Sequence, residues 1–311
     1  MRLLHEAGVP AEALAFVPGR GETVGAALVS DARTAGVAFT GSTATAMAIN
    51  RALAAREGPI VPLIAETGGL NAMLVDSSAL PEQVVTDAIT SAFNSAGQRC
   101  SALRVLCLQK DIAPRVLALL EGATAELTLG DPAKLGTDVG PAIDREALEL
   151  LEAHAAKMDR AAKLVCKAKL PAGLTGTFFA PRAYLVPGLD AIDREVFGPI
   201  LHVVMFEARE LEAMVDAINA KGYGLTLGIH SRIEETVEAV RRRARAGNLY
   251  VNRNMIGATV GVQPFGGEGL SGTGPKAGGP HYLFRFATER TFTVNTAAAG
   301  GNASLIAGSE G

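Results

Sequence analysis

Short apolar runs, bounded by glycine, proline and small polar residues, alternate along the chain with longer stretches whose apolar positions recur at helical spacing. Gly36–Thr40, Asn71–Val75, Arg104–Gln109, Pro199–Phe206, Leu225–Ser231 and Asn248–Asn252 read as strands. Lys163–Cys166 and Thr177–Val186 carry the same signal, and Ala13–Val17 is a short apolar strand near the start. The run Pro59–Ala65 ends at Glu66-Thr-Gly-Gly69. Between these runs the spacing predicts helices around Ala26–Asp31, Thr43 to about Arg56, Pro81–Ala96, Ala113–Leu127, Ile143–Asp159, Leu211–Ala220 and Glu234–Ala246. Met1–Gly8 reads as a helix end, with Gly8 as its stop and Pro10 beyond. Strand and helix in this alternation build a mostly parallel sheet with helical crossovers, so the fold class is α/β. From Gly257 to Pro280 glycine is too dense for a helix or a central strand, and an ordered loop region is expected there. Glu289–Asn295 alternates as a late strand, and the Gly- and Ala-rich tail after it is expected to be mobile.

Composition narrows the function classes. The 311 residues are 48% hydrophobic and 20% charged, which excludes disorder as the main state. Twenty-nine basic against thirty-two acidic residues leave a net charge of -3 and no basic block, so no nucleic-acid partner is expected. No run reaches bilayer-spanning length and no secretory signal opens the chain. Cys100, Cys107 and Cys166 are an odd number without CxxC spacing, which argues against a disulfide framework or a zinc site and fits a reducing cytoplasm.

Of the three thiols, Cys107 and Cys166 lie inside apolar strand runs and read as packing residues. Cys100 follows a helix in a polar Gly-Gln-Arg-Cys-Ser setting, where Arg99 would favour the thiolate that a nucleophile needs; the bland alternative is a small buried side chain. Glu66 stands at the carboxyl end of a strand, the edge at which open α/β sheets bind ligands, and Gly68 and Gly69 would let a planar ligand approach the backbone. A solvated strand-end carboxylate is the competing reading. Thr40-Gly41-Ser42-Thr43 joins strand to helix, where free N–H groups and hydroxyls could receive a phosphate. Two glycine patterns, Gly19–Gly25 and Gly267–Gly272, fail the dinucleotide fingerprint by spacing or context and read as turns. His5, His154, His202, His230 and His281 are scattered without metal-ligand spacing, so no metal is expected.

Four motifs follow one another along the chain: Phe39-Thr-Gly-Ser-Thr43, Glu66-Thr-Gly-Gly69, Gly97-Gln-Arg-Cys100 and Glu195-Val-Phe-Gly-Pro199. In this order and spacing the sequence resembles the aldehyde dehydrogenase superfamily. Cys100-Ser-Ala-Leu-Arg104, Asn252-Arg-Asn-Met-Ile-Gly-Ala258, Gln263-Pro-Phe-Gly-Gly267 and the stretch Ser271–Tyr282 narrow the resemblance. They are similar to the glutamate-semialdehyde (pyrroline-5-carboxylate) dehydrogenases that form a module of bifunctional proline utilisation proteins. The likeness covers essentially the whole chain. It implies an aldehyde dehydrogenase-like fold with a partial nucleotide-binding parallel sheet, an α/β catalytic domain and a C-terminal oligomerisation strand. The expected division is 1–69 for the remnant of the NAD-binding domain, 70–262 for the catalytic domain, 263–288 for a loop returning to the NAD-binding domain, 289–299 for the oligomerisation strand and 300–311 for a flexible tail.

The resemblance further implies NAD-dependent oxidation of L-glutamate γ-semialdehyde to L-glutamate in proline catabolism, by a homo-oligomer whose parent protein carries a proline dehydrogenase domain. Cys100 would attack the aldehyde carbon, and the thioester left after hydride transfer would be hydrolysed by water that Glu66 activates. Gly41 and Ser42 would meet the NAD pyrophosphate, Gly68 would lie close to the cofactor, Glu195 would hold the nicotinamide ribose hydroxyls and Phe197 the nicotinamide side. Ser101, Gly257 and Ala258 would hold the substrate α-carboxylate, with Phe93 and Phe265 flanking its aliphatic part.

One departure stands out. The sequence has no tryptophan and no Lys-Pro-Ala, so the family's oxyanion asparagine, in a Trp-Asn segment, and its adenosine-contacting lysine are absent. An N-terminally incomplete module is expected, binding NAD weakly or not at all. Two further readings stay open: a catalytically silent fragment or oligomerisation module of the same fold, and a thiol hydrolase or acyltransferase that needs no nicotinamide.

Overall fold

The computed structural model of the chain describes residues 1–295. Helix α1 (Arg2–Glu6) and a helical turn at Gly21–Gly25 running into α2 (Ala26–Ser30) open the chain. Strand β1 (Val37–Thr40), helix α3 (Thr43–Ala54) and strand β2 (Leu63–Glu66) then make a small β-α-β unit. Its two strands pair in parallel, Thr40 opposite Glu66, so both chain turns that matter for chemistry emerge at one edge.

The remainder is built on β3 (Ala72–Val75), α4 (Pro81–Phe93), β4 (Val105–Gln109), α5 (Ala113–Ala125), α6 (Arg145–Ala161), β5 (Lys163–Lys167), β6 (Arg182–Leu185), β7 (Ile200–Phe206) and α7 (Leu211–Ala220). The two-residue β8 (Tyr223–Gly224), β9 (Thr226–His230), α8 (Glu234–Arg243), β10 (Asn248–Val251) and the two-residue β11 (Glu268–Gly269) complete it. Seven strands form one sheet in the order β10-β9-β3-β4-β7-β6-β5. All its pairs are parallel except β5 with β6. The apolar runs at its centre are continuous rather than alternating because the sheet is covered on both faces. Met73 and Val75 of β3 pack with Val84, Ala88 and Phe93 of α4 and Val116 and Leu120 of α5. Ala72 and Leu74 face the other way, into a second apolar layer that also holds Leu148, Leu151, Ala155 and Met158 of α6, Val215 of α7 and Val240 of α8. That apolar face of α6 repeats at helical spacing, and the helix starts where the Asp144 carboxylate accepts the Ala147 N–H at 2.8 Å.

The structure corrects several expectations. Ala13–Val17 is not a strand: a single turn at Ala11–Ala13 is followed by extended chain in which Phe16 and Val17 stay exposed, since no described strand lies beside them. The helix from Pro81 ends at Phe93 and not Ala96, because Ser95 and Ala96 take φ of 54° and 53°. Only Arg182–Leu185 of the Thr177–Val186 stretch is strand. Glu289–Asn295 is exposed, and none of it is strand among the described residues. The rest of the expected oligomerisation strand and the expected tail lie outside the described residues. The glycine-rich stretch is loop except for β11, which pairs antiparallel with β8. Among the described residues no helix is long and apolar enough to cross a membrane.

Candidate active site

The β1–β2 edge supplies the first part of the site. The Gly41 N–H donates to the Glu66 carbonyl at 3.1 Å, tying the turn after β1 to the end of β2. Ser42 caps α3: its Oγ accepts the Thr45 N–H at 3.1 Å and sits 2.9 Å from the Thr45 hydroxyl. The cap fixes the start of α3 at the sheet edge, where the helix dipole and unbonded N–H groups favour an anion. The chain returns to this edge late. Thr43 donates to the Leu270 carbonyl at 3.0 Å, Thr67 to the same oxygen at 2.6 Å, and the Thr67 N–H to the Ser271 carbonyl at 3.1 Å.

Glu66 is enclosed by that returning loop. A Cβ on Gly266 would stand 3.2 Å from its Oε1, and one on Gly272 would stand 3.4 Å from its Oε2, so glycines let the loop close over the carboxylate. The Gly267 N–H faces it, yet Oε1 is buried without a hydrogen-bond partner. Burial, only partly offset by that N–H, pushes the Glu66 carboxyl up to about 7.

The nucleophile turn is shaped by its backbone. Ser95, Ala96 and Gly97 all have positive φ, and a Cβ on Gly97 would stand 2.3 Å from the Gly198 carbonyl. The turn is fixed from below by Asn71, whose Nδ2 donates to the Cys100 carbonyl at 2.7 Å and the Ala102 carbonyl at 2.9 Å. Cys100 is half-buried. Burial pushes its thiol up first, and the Glu195 and Glu66 carboxylates push it further, against a lowering contact from the Ser101 N–H. Arg99 does not serve as its cation: the guanidinium turns outward, donating to Ser95 Oγ at 3.1 Å and Asn94 Oδ1 at 3.4 Å. The resting thiol is neutral, so its proton must move as the sulfur attacks.

The cation that organises the site is Arg104, whose chemistry the sequence pattern does not reveal. Its side chain is 1% exposed and spends its donors on the carbonyls of Gly97 (2.8 Å), Arg99 (3.1 Å) and Gly198 (3.1 Å) and on Glu195 Oε1 (2.9 and 3.2 Å). It thereby ties the Cys100 turn to the Glu195–Pro199 loop. The Phe197 ring covers it at 5.2 Å and is otherwise half exposed. Glu195 rests on Gly68, and the Gly69 N–H faces its carboxylate. Burial raises the Glu195 carboxyl, while Arg104 pulls it back down.

The structure thus brings Cys100, Glu66, Glu195 and Arg104 into one desolvated cluster, with Gly41 and Ser42 at the sheet edge beside it. The residues expected to meet substrate are more dispersed. Ser101 is buried, and its carbonyl accepts from Thr226 of β9 at 3.4 Å. Gly257, at φ +74°, and Ala258 lie on the loop after β10. Phe265 is partly buried and bridges to Ala277. Phe93 corrects the expectation for it: 1% exposed, it packs into the core under α4 and offers no face to a ligand. His154 and His202, distant in sequence, meet at 2.9 Å, with His202 Nδ1 3.1 Å from the Arg104 carbonyl. Burial lowers both, His202 to about 4.

The sequence profile described as the aldehyde dehydrogenase family matches residues 1–292. Bifunctional protein PutA of Klebsiella aerogenes is 56% identical over 297 residues, covering 93% of this chain and 23% of that protein. Among solved structures, a variant of proline utilization A from Bradyrhizobium japonicum superimposes with a TM-score of 0.92 at 58% identity, over 96% of this chain and 30% of that one. A Thermus 1-pyrroline-5-carboxylate dehydrogenase with bound NAD gives 0.86 at 35% identity, over 92% of this chain and 55% of that one. The chain therefore spans less than a quarter of the PutA relative and about half of the Thermus enzyme.

Proposed function

Since the chain belongs to the aldehyde dehydrogenase family, we propose that Cys100 and Glu66 oxidise a small aldehyde carrying an α-carboxylate, L-glutamate γ-semialdehyde formed from pyrroline-5-carboxylate, to L-glutamate. The observation that carries this reading is the pairing of a neutral desolvated thiol with a carboxylate held near neutrality, one oxygen of which has no partner. A carboxylate with a pKa of about 7 both accepts and releases a proton in the neutral range, as a general base must.

Cys100 Sγ adds to the aldehyde carbon as the C=O π bond opens and the thiol proton passes to the carbonyl oxygen, giving a thiohemiacetal. NAD, when bound, would supply a hydride acceptor beside this carbon; loss of the hydride to it and of the hydroxyl proton to solvent would leave the thioester. Glu66 then takes a proton from water as its oxygen attacks the thioester carbon; the C–S bond breaks, the sulfur leaves as thiolate and the acid is released. Gly41 and Ser42 suit the diphosphate, because the α3 N-terminus presents N–H groups there and the hydrogen bond shared by the Ser42 and Thr45 hydroxyls uses one proton and leaves the other to donate. Glu195 suits a ribose diol: Arg104 holds Oε1, and Oε2 faces Gly68, where no side chain intervenes. Phe197 presents an exposed ring beside them. Ser101, Gly257 and Ala258 are assigned to the α-carboxylate and Phe265 to the aliphatic part. The PutA relatives support a proline dehydrogenase domain as partner in a longer protein, and the reading carries with it a homo-oligomeric cytoplasmic enzyme.

The test incubates the purified chain with NAD and glutamate semialdehyde, following NADH and L-glutamate together. Equimolar formation of both is expected, slowly and only at high NAD, since the sequence lacks the Trp-Asn and Lys-Pro-Ala segments of the family. Hydrolysis of an aryl ester with no NADH from the aldehyde overturns the reading in favour of a thiol hydrolase. Absence of both reactions from folded chain overturns it in favour of a catalytically silent fold.

A further inference from the structure

Helix α4 carries Gln83, Asp87 and Ser91 at successive four-residue steps, which places them along one face of the helix. Gln83 and Ser91 each bond a backbone group of the segment leaving β10, and Asp87 stands between them on the same face. Gln83 Nε2 donates to the Asn252 carbonyl at 2.7 Å, the Asn254 N–H faces the Asp87 carboxylate, and the Met255 N–H donates to Ser91 Oγ at 3.0 Å. Ser91 in turn donates to the Asp87 carbonyl at 2.6 Å. From the sheet side, the buried His230 ring stands 3.5 Å from Asp87 Oδ2 and faces the Arg253 backbone. Asn252 is locked as well, at φ +52°, by its amide: Oδ1 accepts the Ser231 N–H at 3.0 Å and Nδ2 donates to the Ser231 carbonyl at 2.8 Å. By Gly257, five residues later, restraint stops. Gly257 is exposed, and nothing lies within 4 Å of where its Cβ would be.

This arrangement is a rigid root under an open tip, and the tip is where the proposed carboxylate donors stand. The same helix runs directly into the Cys100 turn, and the Leu103 N–H donates to the Ser91 carbonyl at 3.0 Å. One helix therefore gauges the distance between the nucleophile and the loop. We propose that Asp87 is a positioning residue which, with Gln83 and Ser91, holds the root of the 252–258 loop and so sets selectivity for substrates bearing an α-carboxylate, without touching them. This rests on the reading of Gly257 and Ala258 given above.

The experiment compares Asp87→Leu, Asp87→Asn and Ser91→Ala with the unaltered chain, using L-glutamate as the probe ligand. Its dissociation constant is measured by calorimetry, backbone hydrogen exchange is read at residues 254–258, and Cys100 alkylation by iodoacetamide reports on the nucleophile turn. Asp87→Leu is expected to weaken glutamate about tenfold and to speed exchange at 254–258, with the alkylation rate unchanged. Asp87→Asn, which keeps an acceptor for the Asn254 N–H, is expected to restore both, and Ser91→Ala to give a smaller loss of the same kind. Unchanged exchange in Asp87→Leu overturns the brace; equal loss in Asp87→Asn, or a parallel change in alkylation, overturns positioning in favour of general packing. Failure of the unaltered chain to bind glutamate refutes the carboxylate reading and with it the selectivity, whereas the exchange comparison still decides whether α4 holds the loop.

Discussion

Glu195 Oε2 stands 1.7 Å from where a Cβ on Gly68 would be, so the carboxylate and the strand-end glycine share one space. Glu195 cannot retreat freely, because its other oxygen is held by the buried Arg104. Gly68→Ala is therefore expected to force the carboxylate off the guanidinium, lowering stability by about 1–3 kcal/mol as overpacked sites do. Chemical denaturation and NAD titration of the variant check this; unchanged stability and affinity would refute it.

Replacing Arg104 with Met takes a donor from the Gly97, Arg99 and Gly198 carbonyls, the last two of which keep the Ala102 and Ile200 N–H, and leaves Glu195 as a buried unpaired charge. Breaking a buried pair in this way costs about 3–5 kcal/mol. Adding Glu195→Gln should recover part of that loss, and the non-additivity of the double-mutant cycle measures the pair. A single-variant loss below about 1 kcal/mol, the level of an exposed pair, would contradict the assignment.

Glu66→Gln is expected to keep a pre-steady-state burst of NADH while slowing turnover, since the thioester step alone needs an activated water. Turnover of the unaltered chain should rise with pH through about 7, as Glu66 loses its proton. Stability has the opposite sign. The folded carboxyl keeps its proton up to about 7, against 4.5 without the fold, so between those values the folded state binds more protons and stability falls as pH rises. Glu66→Gln removes this term. Denaturant midpoints across that window should be flatter in the variant, and a burst that vanishes with turnover would assign Glu66 an earlier step.

Iodoacetamide should alkylate Cys100 and spare the other thiols in native protein. Cys107 is fully buried and pushed up to about 12 by that burial, and Cys166 is buried against Thr124. Peptide mapping is the check, and comparable labelling of Cys107 in folded protein would remove the basis for singling out Cys100. The rate should rise with pH, because the Cys100 thiol is itself held above its ordinary value.

Much of the architecture was legible because the central strands are buried on both faces, which leaves uninterrupted apolar runs such as Ala72–Val75 and Val105–Gln109. The polarity and glycine around Cys100 and Glu66 mark both as candidates in the sequence. What a linear pattern does not carry is direction. Arg99 and Arg104 are both cations near the nucleophile, and only the fold turns the first outward and the second wholly inward. Phe93 continues the apolar periodicity of α4, and nothing in that periodicity separates a core ring from a site ring. Ser95 and Ala96 look helical by composition yet sit at positive φ, a tertiary demand of the turn they open. Ala13–Val17 and Glu289–Asn295 have strand-like patterns, but alternation alone does not make a ladder, and neither is strand among the described residues.

The placement of β3 between β4 and β9 has a consequence for synthesis on the ribosome. One flank of β3 is met soon after it is made, but the other waits for β9; Asn71 Oδ1 and its partner, the Thr226 N–H, are 155 residues apart. Until Thr226–His230 has left the exit tunnel, the Ala-Met-Leu-Val edge has open hydrogen-bonding groups and bare apolar side chains, the combination that recruits other nascent chains. Ribosome stalling before that point should yield an insoluble, chaperone-bound product, and slow codons placed between β7 and β9 should lower the soluble yield without changing a single residue of the protein.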